Sequence, residues 1–539
     1  MPTMKERVEK LHALRAQVKE MGGADKVAKQ HEKGKLTARE RIAKFLDEGT
    51  FVELGVLGTQ MPGGYGDKLV PADAVVAGSG KVNGRPVCLA SYDFTVKGGS
   101  LGPTGEVKVS RLRELSLKSR IPMVWFIDSA GARIDVSMAG SMGGAEAGGK
   151  GGRNPMAAGD FVSFFANTGY LFREESIMSG VVPLISAMMG PGAAGTAYIP
   201  GLADYVPMVK NIGSMALAGP PLVKAVTGEV VDEQTLGGSK MHSEVSGVGD
   251  GEFENDEACL KAIRTYLSFM PSSCMEKPPV TKCSDPIDRK EERLLEIVPE
   301  SARQAFDVYE VIKLIADEGA YFDIKPRWAR NMITCFARFG GFPVGIVANN
   351  SKYYGGVLDI NAADKAAHFI EICDSFNVPL LFLHDTPGFM VGTKVEKEGI
   401  IRHGAKMLHC MSQATVPKLS LVMRKSYGAG YYAMCGRAYE PDLLIAWPGA
   451  EISVMGAEGM VGIAGRAFAN RGQEIAPAAA KAMAAMIQPF IDITKVAHWG
   501  FVDDLIDPRE TRERICRSLE MTWNKQVERP WRKHSVRPV

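Results

Sequence analysis

Two short runs of small residues are where this chain could do chemistry: Gly-Pro-Gly-Ala-Ala-Gly at 190–195 and Tyr-Gly-Ala-Gly at 427–430. Each follows a strand-like apolar run and precedes a helical pattern. Side chains this small let a backbone approach a ligand closely. The N–H groups at a helix start point outward and favour anions. Two adjacent free amides form an oxyanion hole, which stabilises an enolate or another developing negative oxygen. The same composition also serves close helix–strand packing, and both readings stand for each run. Asp128 and Asp385 end two of the apolar runs, where active sites of layered α/β folds often sit. A turn-capping role fits them slightly better. Other chemistries find little support. There is no GxSxG, HExxH or GxxxxGKS/T pattern. The nine cysteines contain no CxxC and the nine histidines no metal-ligand grouping, so no metal is expected in this chain.

The elements that must position these turns form an internal repeat. The first half reads IPMVWFIDSAGARI, a helix, then VVPLISAMMGPGAAGTAYIPGLADY. The second reads VPLLFLHDTPGFMVG, a helix, then TVPKLSLVMRKSYGAGYYAMCGRAYEPDLLIAW. Each half has a Pro-led strand, an Asp, a Gly turn, a helix, a second Pro-led strand and a small-residue turn before a Tyr. Asp128 lies 67 residues before Gly195, and Asp385 lies 45 before Gly430. The excess of 22 (67 minus 45) matches the glycine-rich stretch 138–160, read as an insertion that serves as a lid or a plain linker.

Short apolar runs at 74–77, 87–91 and 121–127, with a helical stretch at 107–119, predict an α/β fold. The texture returns at 344–348, 380–383 and 419–423, with helices at 362–376 and 399–413. The Pro-, Ser- and charge-rich stretch 270–288 reads as a linker and divides the chain into domains 1–285 and 286–539. Apolar spacings of three and four from Val8 to Met21 predict an N-terminal helix. Thr37 with Glu40 forms a capping box for another. The basic residues around it, Lys33, Lys35, Arg39 and Arg41, read as a solvated face or as a collar for an anionic ligand.

Composition bounds the function. In 539 residues, 64 Lys and Arg against 62 Asp and Glu leave +2, which excludes nucleic-acid binding through bulk positive charge. A hydrophobic share of 45% with 23% charged residues is that of a globular protein. Residues 176–203 carry no charge but hold Pro183, Pro191 and Pro200, so a buried strand, turn and helix are expected there rather than a membrane span. No membrane association is expected. No secretory signal or transit peptide is visible at the N-terminus, which points to the cytoplasm, or to the mitochondrial matrix in a eukaryote.

From about residue 30 to about 520 the chain resembles the carboxyltransferase (β) subunits of biotin-dependent acyl-CoA carboxylases, such as propionyl-CoA and methylcrotonyl-CoA carboxylases. The resemblance rests on GKLTARERI, KGGSLGP, DSAGARI, VTGEVVDEQTLGG, VLDINAADKAAHFIEICD, PGFMVGTKVEKEGIIRHGAK, RKSYGAGYYAMCGRAYEPD and AEISVMGAEG. It implies two tandem crotonase-like domains, the first holding the acyl-CoA thioester and the second facing biotin. The implied reaction moves CO2 from carboxybiotin, carried on a separate chain, to the enolate of the acyl-CoA. A negative oxygen arises on each partner, so two holes make chemical sense. The biotin nitrogen serves as base in this family, which fits the lack of an obvious side-chain base. A hydratase or isomerase of the same fold would need a side-chain acid or base in each site.

Carried onto this sequence, the resemblance puts the first hole at Ala194 and Gly195, where related chains commonly have Gly-Gly, and the second at Ala429 and Gly430. It expects Ala at such a position to avoid positive φ. Lys97, Gly98, Gly99 and Ser100 are implied at the CoA end, with Lys97 toward a phosphate. Gly388, Phe389 and Gly392 are implied on the biotin side. Tyr431 and Tyr432 narrow the acyl pocket, stack on an extended acyl group or simply pack. Tyr309 replaces the Arg of the family's YDVREVI stretch. No AMKM-like biotinylation sequence occurs, so a biotin carboxylase and biotin carrier partner is implied on another chain. A hexamer of two stacked trimers is implied as well. The alternative reading is the transferase subunit of a biotin-dependent, sodium-pumping decarboxylase of the glutaconyl-CoA type, which runs the transfer backwards.

Overall fold

The structure, a computed structural model, describes residues 1–59, 69–133, 169–301, 304–470 and 475–539. The expected insertion 138–160 lies outside the described residues. Each half of the chain builds one eight-stranded mixed sheet. In the first half these are β1 (Val52–Leu54), β2 (Val75–Val82), β3 (Arg85–Tyr92), β4 (Met123–Ser129), β5 (Leu184–Ala193), β6 (Pro207–Val209), β7 (Ser214–Ala216) and β8 (Gly251–Phe253). In the second they are β9 (Tyr321–Ile324), β10 (Met332–Phe339), β11 (Phe342–Asn349), β12 (Leu380–Thr386), β13 (Lys418–Tyr427), β14 (Leu443–Ala446), β15 (Glu451–Ser453) and β16 (Asp504–Leu505). The first sheet runs β1-β2-β3-β4-β5-β6-β8, with β7 on β5; the second runs β16-β14-β13-β12-β11-β10-β9, with β15 on β13.

Local sequence explains the pairing. Asn83-Gly84 closes the β2–β3 hairpin with φ of 51° and 77°, and Gly340-Gly341 closes β10–β11 with 59° and 87°. Two consecutive positive φ values are what a two-residue type I′ turn requires. From β3 onward the neighbours in the first half are parallel, as are those from β11 in the second. Every residue of β4 and of β12 is buried. Their continuous apolar runs are what a parallel strand covered on both faces needs. Trp125 and Ile127 pack with Leu112, Met188 and Ile199 in the first core. Leu381 and Leu383 pack with Ile346, Val311 and Trp447 in the second.

The expected helices form at Met4–Lys19, Pro103–Ser119, Ile360–Ser375 and Ile400–Gln413. The Thr37–Glu40 capping box is present at the head of Ala38–Phe45. The uncharged stretch becomes the end of a helix, β5 and the helix Gly195–Leu202.

The chain separates into two compact units, Met1–Ser268 with Ser272–Met275, and Phe269–Pro271 with Glu276–Val539. The passage between them lies ahead of the boundary expected at 285. The end of the proline-rich stretch is fastened to the second unit: Arg338 Nη1 donates to the Pro279 carbonyl (2.9 Å), Thr281 N to Gly341 O (3.1 Å), and Arg512 Nε to Pro286 O (2.8 Å).

The repeat holds residue by residue up to the ends of β4 and β12. Lys97 and Tyr354, Lys108 and Lys365, and Asp128 and Asp385 all stand 257 positions apart (354 minus 97, 365 minus 108, 385 minus 128). Lys108 Nζ donates to the carbonyls of Ala72 (2.9 Å) and Val75 (2.7 Å). Lys365 Nζ donates to those of Lys325 (2.8 Å), Trp328 (2.9 Å) and Met332 (2.7 Å). Burial pulls the Lys108 ammonium down to about 8.

Candidate active site: backbone amides at the strand ends

β4 and β12 both lose register near their ends, between Ile127 and Ser129 and between His384 and Thr386. Such irregularities re-aim the chain beside functional sites. The Asp at each irregularity is fully buried and charge-compensated. Asp128 accepts from Lys35 Nζ (2.6 Å), Arg41 Nη1 (3.0 Å) and Gln30 Nε2 (2.8 Å). Asp385 accepts from Arg424 Nε (3.0 Å) and Nη2 (2.7 Å). Both carboxylates anchor strand ends. The basic collar is corrected by the same contacts. Arg41 is fully buried and also grips Asp256 (2.7 Å) and the Met189 carbonyl (2.9 Å), while Arg39 makes a two-pronged pair with Glu53 (2.8 and 2.9 Å). Lys35, Arg39 and Arg41 face inward because buried acids need them, and a solvated basic face does not form.

The turn after each Asp is stapled to a second turn. In the first unit Ala130 N donates to Gly98 O (2.9 Å), Leu101 N to Gly131 O (2.9 Å) and Gly131 N to Ser129 Oγ (3.1 Å). In the second, Leu358 N donates to Gly388 O (3.0 Å) and Gly388 N to Thr386 Oγ1 (3.1 Å). These bonds sort the residues expected at the CoA end. A Cβ on Gly99 would run into the Asp128 carbonyl. Ser100 is buried, with Oγ donating to Lys97 O (2.8 Å) and accepting from Arg133 Nε (3.1 Å). Arg133 is paired in turn with buried Asp73. Gly99 and Ser100 therefore shape the turn, and the Lys97 side chain is the exposed one.

The two small-residue turns meet their helices in different register from that expected. Ala193 pairs with Ala216, and Tyr427 with Ser453, each at the end of the long central strand. The next residues, Ala194 and Gly428, share a φ of 52° and 54°. The counterpart of Ala429 and Gly430 is thus Gly195 and Thr196, one position beyond the expected pair. The Ala194 amide donates to the Ala216 carbonyl (3.1 Å), so it is spent on the sheet and cannot serve a ligand. Ala194 also adopts the positive φ that it was expected to avoid. Gly195 and Thr196 begin the helix Gly195–Leu202, and Gly428, Ala429 and Gly430 begin Gly428–Ala433. First-turn amides have no acceptor within their own helix. Beyond the insertion the repeat offset becomes 234 (427 minus 193), so the first half is longer by 23 residues (257 minus 234) rather than 22.

The structure brings Gly388 and Gly430 together. A Cβ on Gly430 would lie 2.9 Å from Gly388 Cα and 3.0 Å from Thr386 Cγ2. The glycines are there because two backbones meet. Phe389 is half-buried beside Gly404 on the helix Ile400–Gln413, where a Cβ would sit 3.0 Å from its ring. Gly392 heads the short helix Thr393–Glu398 with nothing near its Cβ position. Tyr431 is held in place: its Oη accepts from Arg437 N (2.9 Å), and Gly436 sits against its ring. Tyr432 is exposed and stacks on Tyr439 with centroids 6.3 Å apart. The sequence did not single out Thr196, Gly131 or Tyr354; only strand register reveals them as counterparts of Gly430, Gly388 and Lys97.

His384 is fully buried, and burial drives its imidazole down to about 3, so it is neutral. Among the described residues no group of three or more His, Cys, Asp or Glu could hold a metal. Among them, too, no helix is long and apolar enough to cross a membrane.

The carboxyl transferase domain model matches residues 29–151 and 145–537. The chain belongs to the carboxyl transferase family. It is 40% identical over 541 residues to the methylmalonyl-CoA decarboxylase subunit alpha of Veillonella parvula, covering 100% of both chains. It is 40% identical to the mitochondrial propionyl-CoA carboxylase beta chain of Homo sapiens, covering 96% of this chain and 91% of that one. Its structure matches transcarboxylase 12S, described as a hexamer with methylmalonyl-CoA and methylmalonic acid bound, at a TM-score of 0.90 with 40% identity and 100% of both chains covered. The two sheets are accordingly two tandem crotonase-like α/β domains. As a carboxyl transferase the chain needs places for oxygen anions on its substrates, and uncharged, first-turn amides beside a glycine-lined strand end suit that need.

Proposed function

We propose that the chain is the carboxyltransferase subunit of a biotin-dependent acyl-CoA carboxylase, acting on a short-chain acyl-CoA of the propionyl/methylmalonyl class. The observation that carries the mechanism is the pair of equivalent amide-headed helices, one in each unit. The amides of Gly195 and Thr196 receive the thioester oxygen as the α-carbon loses its proton. Those of Ala429 and Gly430 receive the ureido oxygen of the carrier group. Carboxybiotin, borne on a carrier partner, would supply the CO2 by breaking its N–carboxyl bond; the freed ring nitrogen would take the α-proton, and the enolate carbon would bond to the CO2. Lys97 meets a phosphate of CoA at the mouth of the first unit. Gly388 keeps the second turn close, and Asp128 and Asp385 hold the strand ends rigid. Full-length similarity to transcarboxylase 12S, whose description names a hexamer, supports a hexamer here. The equally full-length similarity to a methylmalonyl-CoA decarboxylase subunit favours a second reading, the same transfer run backwards within a decarboxylase.

The test is ATP-dependent bicarbonate fixation by the chain purified with its biotin-containing partner, on acetyl-, propionyl-, butyryl-, methylcrotonyl- and geranyl-CoA. Fixation that is fastest on propionyl-CoA is expected. No fixation on any of them, with biotin-dependent CO2 release from methylmalonyl- or glutaconyl-CoA, establishes the decarboxylase.

A further inference from the structure

The residue-level repeat makes the two units a controlled comparison. Where the backbone is the same and an exposed side chain differs, the difference reports what each unit meets. The turns Lys97–Gly99 and Tyr354–Gly356 are such a case. Both are single 3-10 turns with nearly the same middle residue, Gly98 at φ 64°, ψ 26° and Gly355 at φ 63°, ψ 19°. Both lean on the buried Asp: a Cβ on Gly99 would strike the Asp128 carbonyl, and one on Gly356 the Asp385 carbonyl. Both lead into the strand-end staple, through Leu101 to Gly131 and through Leu358 to Gly388. The first residue of each turn is Lys97, with φ 50°, and Tyr354, with φ 49°.

A bulky residue with left-handed backbone is uncommon, and such strain clusters at functional sites. Tyr354 adds a second oddity: the residue is 72% exposed. Its neighbour Tyr353 is not comparable, because the Arg330 guanidinium covers that ring at 4.1 Å. Tyr354 thus presents a large apolar face to solvent, from a strained position, on the turn that leads into Leu358, whose N–H donates to the carbonyl of Gly388 beside Gly430. A lysine at this place suits an anionic ligand. An aromatic ring suits an uncharged, flat or bicyclic one, whose edge and face it can cover.

We propose that Tyr354 is a specificity-determining residue of the second unit: its ring covers the uncharged bicyclic head of the carrier group, at the place where the first unit offers Lys97 to the phosphates of CoA. This rests on the reading of the second unit as the biotin-facing one. The test is biotin-dependent decarboxylation of methylmalonyl-CoA by the whole chain, with free biotin as acceptor and both KM values measured. Tyr354→Ala is expected to raise the KM for biotin about tenfold and to leave the KM for methylmalonyl-CoA within about twofold. Tyr354→Gly, which relieves the left-handed backbone, gives the same split with no loss of thermal stability. Tyr354→Phe keeps the ring and the low KM, and Tyr354→Lys does not restore it. Lys97→Ala gives the reverse split. An unchanged biotin KM in both Tyr354→Ala and Tyr354→Gly overturns the proposal, as does an equal rise in both KM values or a change of oligomeric state on size-exclusion chromatography. Absence of any biotin-dependent turnover in the unsubstituted chain overturns instead the reading on which the proposal stands.

Discussion

Adding one methyl group at Gly430 tests the amide geometry more sharply than removing a side chain would. The new Cβ would lie 2.9 Å from Gly388 Cα, 3.0 Å from Thr386 Cγ2 and 3.3 Å from Gly388 N. Two of those three atoms are backbone, so no rotamer change relieves the contact. The turns must part by roughly 0.5 Å, and overpacking of this kind costs about 1–3 kcal/mol. Displacement on that scale also spoils an oxyanion site, whose donors must stay within about 0.5 Å of their working positions. Loss of one such donor lowers kcat by about 10²–10³. Gly430→Ala should therefore lower kcat for carboxyl transfer by about two orders of magnitude, with a small change in KM. Gly195→Ala is the control. The nearest atoms to its new Cβ are Phe172 Cζ at 3.6 Å and Leu101 Cδ1 at 3.7 Å, and the equivalent residue of the second unit is already Ala429. It should keep kcat within about twofold, because its amide stays in place. Steady-state fixation assays with thermal unfolding on the same samples separate the two effects. A Gly430→Ala enzyme that retains more than half of its kcat would refute the reasoning, and so would an equal loss in Gly195→Ala.

Three further substitutions probe the frame. Ala194→Gly relieves a positive φ worth about 1–2 kcal/mol, offset in part by the extra freedom of glycine in the unfolded chain; it should raise Tm by about 1–3 °C, and a lower Tm contradicts the assigned conformation. Asp128→Ala strands the buried Lys35 and Arg41 charges and should cost about 3–5 kcal/mol in a guanidinium titration; a loss under about 1 kcal/mol would mean the charges find water. Asp204 is buried near Asp250, and burial first of all pushes its carboxyl up to about 7. The folded state then binds a proton more tightly than the unfolded chain, so this group's stabilisation is complete below its ordinary value near 4 and is lost as pH rises through about 7. Asp204→Asn should flatten the fall in Tm between pH 4 and 7, and an unchanged slope removes Asp204 as its source.

What the sequence reveals and what it hides follow from the range of the interactions. β4 and β12 are visible as apolar runs because both their faces are covered, and the Thr37–Glu40 box is visible because its partners are three residues apart. The inward turn of Lys35 and Arg41 is invisible because it depends on Asp128, 93 and 87 residues away. The chemistry of the two turns is legible as small residues before a helix, but its register is not. Ala194 and Gly195 look alike as small residues, and only the pairing of Ala193 with Ala216 shows that the first of them belongs to the sheet.

That one-residue correction decides how the duplicated frame divides its work. Glycine at 428 and alanine at 194 share nearly the same positive φ, as do tyrosine at 354 and lysine at 97. The buried parts, an Asp at the strand end, a lysine on carbonyls and a glycine under its carbonyl, are kept in both units because a shift in any of them would move the amides. The difference between Lys97 and Tyr354 stands instead at an exposed position on a shared turn, where a side chain can change without disturbing an amide. On the proposed assignment, a rigid amide frame used twice needs few rim substitutions to make one unit suit an anionic thioester and the other an uncharged ring. On this view rim substitutions should change KM for one substrate at a time, whereas frame substitutions such as Gly430→Ala should change kcat.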